Sequence, residues 1–122
     1  MTEQEVKEIY NRLLEFTKAG AIQWKKTGEE EFTTSFSRSS VTVEIEDTPV
    51  DQGGQAAFKI FNDAGIMVAY AGPMAGMGIV DSAVKEFNLD PSELFNLVQE
   101  KVYKYSETSE NILNELRKLK AS

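Results

Sequence analysis

The segment FTTSFSRSSVTVEIE, residues 32–46, decides the fold that the sequence predicts. Apolar or threonine side chains alternate with polar ones on both sides of a serine-rich turn, Ser37–Ser40. The alternating positions are Phe32, Thr34 and Phe36 before the turn, and Val41, Val43 and Ile45 after it. A period of two is the pattern of a strand that has one face in the core. The segment therefore predicts two antiparallel strands joined by a turn, with Phe36 among the core residues.

The chain before this segment predicts a helix. Thr2-Glu3-Gln4-Glu5 has the form of a capping box, in which a threonine hydroxyl and a glutamate carboxylate bind free amides at a helix start. Apolar residues then recur at spacings of three and four, at Val6, Ile9, Tyr10, Leu13 and Leu14. Gly20 is a good C-terminal breaker. We expect the helix to run from about residue 3 to 18.

Further turn signals extend the sheet to an antiparallel meander of about five strands. Thr27-Gly28 separates Ile22 and Trp24 from Phe32, and Asn62–Gly65 joins two more alternating runs. These runs contain Phe58, Ile60, Ile66, Val68 and Tyr70. Residues 47–55, DTPVDQGGQ, predict an exposed loop because they combine proline, paired glycines and aspartates.

The last third of the chain predicts helices. After the glycine-rich segment 71–78, Asp81 is expected to cap a short helix over Ile79 to Phe87. Asp90-Pro91-Ser92-Glu93 then combines a cap, a proline at the first helical position and a glutamate to close the box. The apolar stripe over residues 91–120 fits either one bent helix or two helices. Its last members, which we expect to be buried, are Ile112, Leu113, Leu116 and Leu119.

The expected architecture is an α+β fold in one domain, residues 1–122. An N-terminal helix and the C-terminal helices pack on one face of the antiparallel sheet. The other face is expected to carry Phe61, Met67 and Ala69 among polar side chains. Apolar residues on an exposed face indicate that it is partly covered, and a second copy of the chain is the expected cover. A homodimer is therefore predicted.

Composition argues against ordinary side-chain catalysis. The chain has no cysteine and no histidine, so it lacks a thiolate nucleophile, the usual general base and the common zinc ligands. No catalytic residue, metal site or cofactor is therefore expected. A net charge of −7 disfavours nucleic acid and anionic membranes as partners. No apolar run approaches the roughly 18 residues of a membrane span, and the N-terminus is too acidic and polar for a signal peptide, so a cytoplasmic location is expected.

The candidate ligand site lies in the glycine-rich segment. Gly72, Gly76 and Gly78 could present backbone amides to a phosphate or carboxylate, although a flexible connector explains the same residues. The neighbouring methionines, Met74 and Met77, suit an adaptable apolar edge of the site.

Two further residues could contact the same ligand. Arg38, in the serine-rich turn, could grip a phosphate, although a turn arginine commonly faces solvent. Trp24 could stack on a ligand base, although a core anchor is the plainer role for a lone tryptophan.

Two classes of binding function follow from these features. The leading hypothesis is a non-enzymatic binding protein that sequesters a small anionic, nucleotide-like ligand or inhibits a defence component. The alternative is an acidic protein inhibitor or immunity protein that blocks a basic nuclease or mimics DNA. An enzyme that uses only carboxylates, lysines or tyrosines is a third possibility. A cation-lined cleft beside Gly72–Gly78 favours the small ligand, and a continuous acidic face favours the protein inhibitor. The order of the elements, with Trp24 opening the sheet, resembles many small bacterial and phage accessory proteins.

Overall fold

The computed structural model describes residues 1–47, 53–78 and 81–121, and it has the predicted α+β fold. The first half consists of helix α1 (Glu3–Lys18) and strands β1 (Lys25–Gly28), β2 (Glu31–Ser35), β3 (Ser40–Glu46) and β4 (Gln55–Phe61). The second half consists of strands β5 (Met67–Ala71) and β6 (Lys85–Glu86) and helices α2 (Ser92–Tyr103) and α3 (Tyr105–Ala121). The described strands form one sheet in chain order, antiparallel except where β6 runs parallel to β5.

Helix α1 has the predicted bounds and the predicted cap. The Glu5 amide donates to Thr2 Oγ1 over 3.1 Å, and the Thr2 amide donates to Glu5 Oε1 over 2.8 Å. The capping box is therefore confirmed. The buried side of the helix consists of Val6, Tyr10, Leu13 and Thr17.

The predicted meander is confirmed, but its first two strands differ from the prediction. Strand β1 covers Lys25–Gly28, so Ile22 and Trp24 precede it, and the turn lies at Glu29 and Glu30, where Glu30 takes a positive φ of 53°, and not at Thr27-Gly28.

The second strand is shorter than predicted. Strand β2 ends at Ser35, and the Phe36 amide donates to the Ser39 carbonyl over 2.8 Å, so Phe36 already belongs to the turn. Its side chain is 48% exposed. The prediction that Phe36 lies in the core was wrong, because the alternation along β2 stops one residue before it.

The segment after residue 80 forms a strand where the sequence predicted a short helix. Asp81 does accept from the Ala83 amide, but the chain then extends as β6, and the Phe87 amide donates to the Tyr70 carbonyl over 2.9 Å. The strand gives hydrogen-bond partners to amide and carbonyl groups at the edge of β5, which would lack these partners if the segment were a helix. The sheet thus has six described strands, one more than expected. Ile79 and Val80, at the start of the predicted helix, lie outside the described residues, as does much of the predicted loop 47–55.

Helices α1 and α2 cover one face of the sheet, which we call the inner face. The core here joins side chains of both helices to alternate residues of β2 to β4: Val6, Tyr10, Leu13, Phe32, Val41, Val43, Phe58, Ile60, Leu94, Phe95 and Val98. Tyr10 packs edge to face on Phe58, with ring centroids 5.6 Å apart. The Tyr10 hydroxyl donates to the Asp90 carbonyl and accepts from the Leu94 amide, which fixes the start of α2 against α1.

Strand β5 faces the core differently from the prediction. Ala69 and Ala71 point into the inner-face core, and Tyr70 is buried on the opposite face with Ala57 and Val84. The prediction that Ala69 lies on the outer face was therefore wrong. A register shift between Ile60 and Phe61 offsets β5 by one position, which exchanges its two faces from Ala69 onward, whereas Met67 and Val68 keep their predicted faces.

The C-terminal stripe divides into two helices. Lys104 adopts a left-handed conformation, with φ at 57°, and ends α2. All side chains described in α3 are exposed, including the apolar stripe expected in the core. That expectation was wrong for α3, because the turn at Lys104 directs the last helix away from the sheet that α2 covers. None of the described helices is both long and apolar enough to cross a membrane.

Candidate functional site

The predicted site residues lie in three separate places. Gly72 follows β5 and shares a groove with Ile45 and Gln55, at the end of the sheet where β3 finishes and β4 begins. Arg38 lies at the opposite end of these strands, where Ser40 pairs with Phe61. The structure therefore does not bring Arg38 to the glycine-rich segment.

Trp24 is part of the protein interior. Its side chain is 9% exposed, and its Nε1 donates to Thr17 Oγ1 of α1 over 2.9 Å in a buried hydrogen bond. The indole joins the chain before β1 to the last turn of α1. This arrangement fits the role of a core anchor.

The amides of residues 74–77, within the glycine-rich segment, donate to groups of the protein. The Gly76 amide donates to Glu86 Oε2 over 2.7 Å, and the Met74 amide donates to the Tyr70 hydroxyl over 3.1 Å. A carboxylate of the chain therefore already occupies the place that an anionic ligand would take at Gly76. The surrounding groove carries Asp81 and Glu86 beside a single cation, Lys85, among its described charged residues.

The two methionines of the segment differ in environment. Met74 packs against the second apolar cluster formed by Tyr70, Ala57 and Val84. Met77 is 48% exposed. Met77 is therefore the more accessible of the two as an adaptable contact.

Arg38 borders a shallow apolar groove of about 520 Å³ between the start of α1 and the turns at one end of the sheet. Phe36, Phe61 and Val68 form part of its lining, and Asp63 contributes a negative charge. The exposed Phe36 ring and the Arg38 guanidinium offer an apolar surface and a cation side by side.

A polar network that the sequence analysis missed crosses the opposite face of the sheet, which we call the outer face. Lys59 of β4 forms ion pairs with Glu44 and Glu46 of β3, and its Nζ lies 3.3 Å from Glu46 Oε2. The Tyr70 hydroxyl donates to Glu46 Oε1 over 2.5 Å and accepts from the Met74 amide. Strand register alone brings these residues together, because Lys59 pairs with Thr42 on one side and with Tyr70 on the other.

The environment of this network favours the protonated forms of its lysine and its tyrosine. Burial works against the charge of Lys59, but hydrogen bonds and charge attraction from Glu44 and Glu46 outweigh it, so the pKa of Lys59 is raised. Burial and the hydrogen bond to Glu46 both raise the pKa of Tyr70. A lysine or tyrosine that acts as a nucleophile or base needs the opposite shift.

A threonine chain continues the network to the first strands. The Thr27 hydroxyl donates to Glu31 Oε1 over 3.0 Å. Since a hydroxyl has one proton, Thr33 must donate to Thr27, and Thr42 to Thr33, over contacts of 3.0 and 2.8 Å. The chain of donors ends on the Glu31 carboxylate and stabilises its negative charge.

Glu31 belongs to an acidic corner of the molecule, which we define as Glu29, Glu30, Glu31 and Glu44. Glu31 lies directly opposite Glu44 on the outer face, and Glu29 and Glu30 form the exposed turn beside them. Like charges opposite each other in a sheet are destabilising. The ion pair with Lys59 offsets the charge of Glu44, but the four glutamates still leave the corner with an excess of negative charge. A concentration of like charge that folding does not require often marks a functional surface.

Neither a metal cluster nor a known relative adds to this picture. Among residues 1–47, 53–78 and 81–121, no three histidine, cysteine, aspartate or glutamate side chains are grouped so that they could hold a metal ion. Comparisons of the chain with protein-family models, curated proteins and solved structures found no match.

Proposed function

We propose that the chain is a non-enzymatic binding protein that holds a basic partner protein on its acidic corner. The observation that carries the proposal is the group of four glutamates at the acidic corner, where Glu31 lies opposite Glu44 and, of the four, Lys59 forms an ion pair with Glu44 alone. A lysine or arginine from a partner would relieve their repulsion on binding. A basic nuclease or a basic component of a defence system is a partner of this kind, and the chain would act as its inhibitor.

The absence of catalysis in this proposal is supported by the state of the outer-face network. Lys59 and Tyr70 are held protonated by Glu44 and Glu46, and their hydrogen bonds are already made within the chain. A lysine or tyrosine that keeps its proton in this way is a poor nucleophile. Reproducible turnover of a phosphodiester, peptide or glycoside, abolished by one carboxylate substitution, would overturn this part of the proposal.

The test uses a defined basic probe, a peptide of ten lysines, titrated into the isotopically labelled protein. We expect the amide resonances that shift most to be those of residues 29–31 and 44–46. Neutralising Glu29, Glu30 and Glu31 together to glutamine should weaken binding at least fivefold. Glu44 is left unchanged in this variant, because its removal would strip a partner from the half-buried Lys59.

A matched control carries the same change in net charge on the other side of the molecule. Glu3, Glu8 and Glu15 of α1 are exposed and are replaced by glutamine together. This control should bind the peptide nearly as well as the wild type, since only the overall charge has changed. Equal weakening in both variants, with shifts spread over the whole surface, would show that the acidic corner has no special role.

Arg38 supports a second candidate function, the binding of a small anionic, nucleotide-like ligand. The groove beside Arg38 offers the exposed Phe36 ring for a base and the guanidinium for a phosphate. Titration with the four nucleoside monophosphates should then shift resonances of residues 36–41, and Arg38→Gln should reduce affinity at least fivefold. Arg12→Gln, which changes another exposed arginine, is the control. Shifts at residues 72–78 instead would return the site to the glycine-rich segment.

A further inference from the structure

Helix α3 presents an apolar stripe that its own chain leaves exposed. The stripe consists of Ile112, Leu113, Leu116 and Leu119, which are 54%, 47%, 55% and 71% exposed. Scattered apolar residues on a surface need no explanation, but four on one side of a helix form a continuous patch. The helix has 17 residues and is therefore about 25 Å long.

The spacing of the stripe is that of a helix-to-helix seam. Tyr105, Ile112 and Leu119 are seven residues apart, and Leu116 lies between the last two at a spacing of four and three. This is the heptad pattern by which two helices pack knobs into holes. A partner helix of the same length and pattern is therefore the best fit to the stripe.

The charges beside the stripe indicate what that partner helix is. Glu110 lies three residues before Leu113, and Arg117 lies four residues after it. These spacings place both charges on the side of the stripe that carries Leu113. In an antiparallel pair of identical helices this side of one helix faces the same side of the other. When Ile112 of each copy lies level with Leu116 of the other, Glu110 of each copy lies beside Arg117 of the other. The symmetric contact thus contains two unlike charge pairs on the side of Leu113, against one like pair, Glu115 with Glu115 of the second copy, on the other side.

A membrane surface fits the helix less well. Helix α3 contains three acidic and three basic residues, so it has no net positive charge to attract anionic lipid. Membrane-binding helices of this kind carry lysine and arginine on the polar face.

We propose that the chain forms a homodimer through α3, paired antiparallel with α3 of a second copy. One short helix per copy gives an interface smaller than the roughly 800 Å² per partner of a standard complex. We therefore expect a reversible dimer with a dissociation constant on the order of micromolar.

The first test is sedimentation equilibrium between about 1 and 200 µM. The wild type should pass from a monomer of 13.6 kDa to twice that mass. Leu116→Glu should remain monomeric throughout, and its circular dichroism should show an intact fold because the side chain is exposed. Ile66→Glu, at a 60% exposed apolar residue between β4 and β5, is the matched control and should still dimerise. A wild type that is monomeric at 200 µM, or a dimer that Ile66→Glu dissolves and Leu116→Glu does not, would overturn the proposal.

The second test exchanges the charges. Glu110→Arg and Arg117→Glu should each raise the dissociation constant several-fold, because each places like charges together across the dimer twice. The double variant carrying both changes should return to near the wild-type constant. If the double variant is weaker than either single variant, the antiparallel register is wrong. If the wild type binds vesicles of anionic lipid as a monomer, the stripe is a membrane-binding surface and the proposal is overturned.

Discussion

At the scale of single residues, the Tyr70 hydroxyl is held by hydrogen bonds in both directions. It donates to Glu46 and accepts from the Met74 amide, so it links β3 to the segment that follows β5. Glu46 in turn pairs with Lys59. Each member of this set satisfies another, which is the condition under which buried polar groups stabilise a fold.

The raised pKa of Tyr70 predicts a loss of stability in alkali. Above pH 10, the ordinary pKa of tyrosine, the unfolded chain loses the phenol proton that the folded chain keeps. The folded state then binds more protons, and the free energy of unfolding falls as the pH rises. The raised pKa of Lys59 acts in the same direction, with its contribution present below pH 10.5 and lost above it.

We expect the free energy of unfolding to fall between pH 10 and 11.5, and to fall less steeply in Tyr70→Phe. Urea unfolding followed by circular dichroism at several pH values measures the slope. Tyr105→Phe, at a residue that is 49% exposed, is the control and should keep the wild-type slope. Parallel curves for the wild type and Tyr70→Phe would show that this phenol is not the group that titrates.

At the scale of the elements, local patterns predicted what local forces determine. The capping box at Thr2–Glu5 and the placement of Val41, Val43 and Ile45 on one face of β3 depend on a few residues each, and both were confirmed. Strand β6 has only two residues and exists because β5 offers an edge, so no period along the chain reveals it. The bulge at Ile60/Phe61, which exchanges the faces of β5 from Ala69 onward, depends likewise on a pairing between strands.

The different burial of Val98 and Phe36 predicts different effects when each is truncated to alanine. Val98 of α2 is fully buried, so Val98→Ala should lower the free energy of unfolding by about 2 kcal/mol through two lost methyl groups and a small cavity. Phe36→Ala removes more atoms, but at an exposed turn, and should change it by less than about 0.5 kcal/mol. Urea midpoints of the two variants provide the measurement. A larger loss in Phe36→Ala would place that ring in the core after all.

The glycine-rich segment leads to a second comparison. A methyl group at Gly72 would lie 2.8 Å from the Tyr70 hydroxyl oxygen and 2.9 Å from the Ala57 methyl carbon, so Gly72→Ala should destabilise the fold by about 1–3 kcal/mol. A methyl group added at Gly76 would have no neighbouring atom within 4 Å. Only the positive φ of 79° therefore opposes Gly76→Ala, at a cost of about 1 kcal/mol.

Thermal or urea unfolding of the two alanine variants separates these effects. Gly76→Asn is the control, since asparagine tolerates a positive φ and should lose less than alanine. An equal loss in Gly72→Ala and Gly76→Ala would mean that the close contact with Tyr70 relaxes freely.

At the scale of the whole molecule, the sequence predicted how the helices and the sheet are layered better than it predicted which side chains meet on the surface. The fold class follows from patterns within each element. The acidic corner and the Lys59 network arise from the register between β2, β3 and β4, which a single sequence does not display. Arg38 and Gly72 were grouped because both suit an anion, yet the meander places them at opposite ends of the sheet.

The exposure of α3 predicts that the molecule unfolds in unequal parts. Strand β3 is paired on both sides and buries Val41 and Val43, whereas α3 buries none of its described side chains. Amides in β3 should therefore exchange with solvent only on global unfolding, and amides in a monomeric α3 should exchange by local opening. Dimerisation through α3 would add the binding free energy to that opening.

Hydrogen exchange followed by mass spectrometry at about 1 µM and 200 µM should therefore show protection that rises with concentration in peptides covering residues 105–119. Peptides covering residues 40–46 should be equally protected at both concentrations. In Leu116→Glu the α3 peptides should exchange rapidly at both concentrations, because the variant removes the contact and leaves the sheet intact. If α3 is as well protected as β3 at the lower concentration in the wild type and in Leu116→Glu, then α3 is stabilised by its own chain, and the stripe needs no second copy.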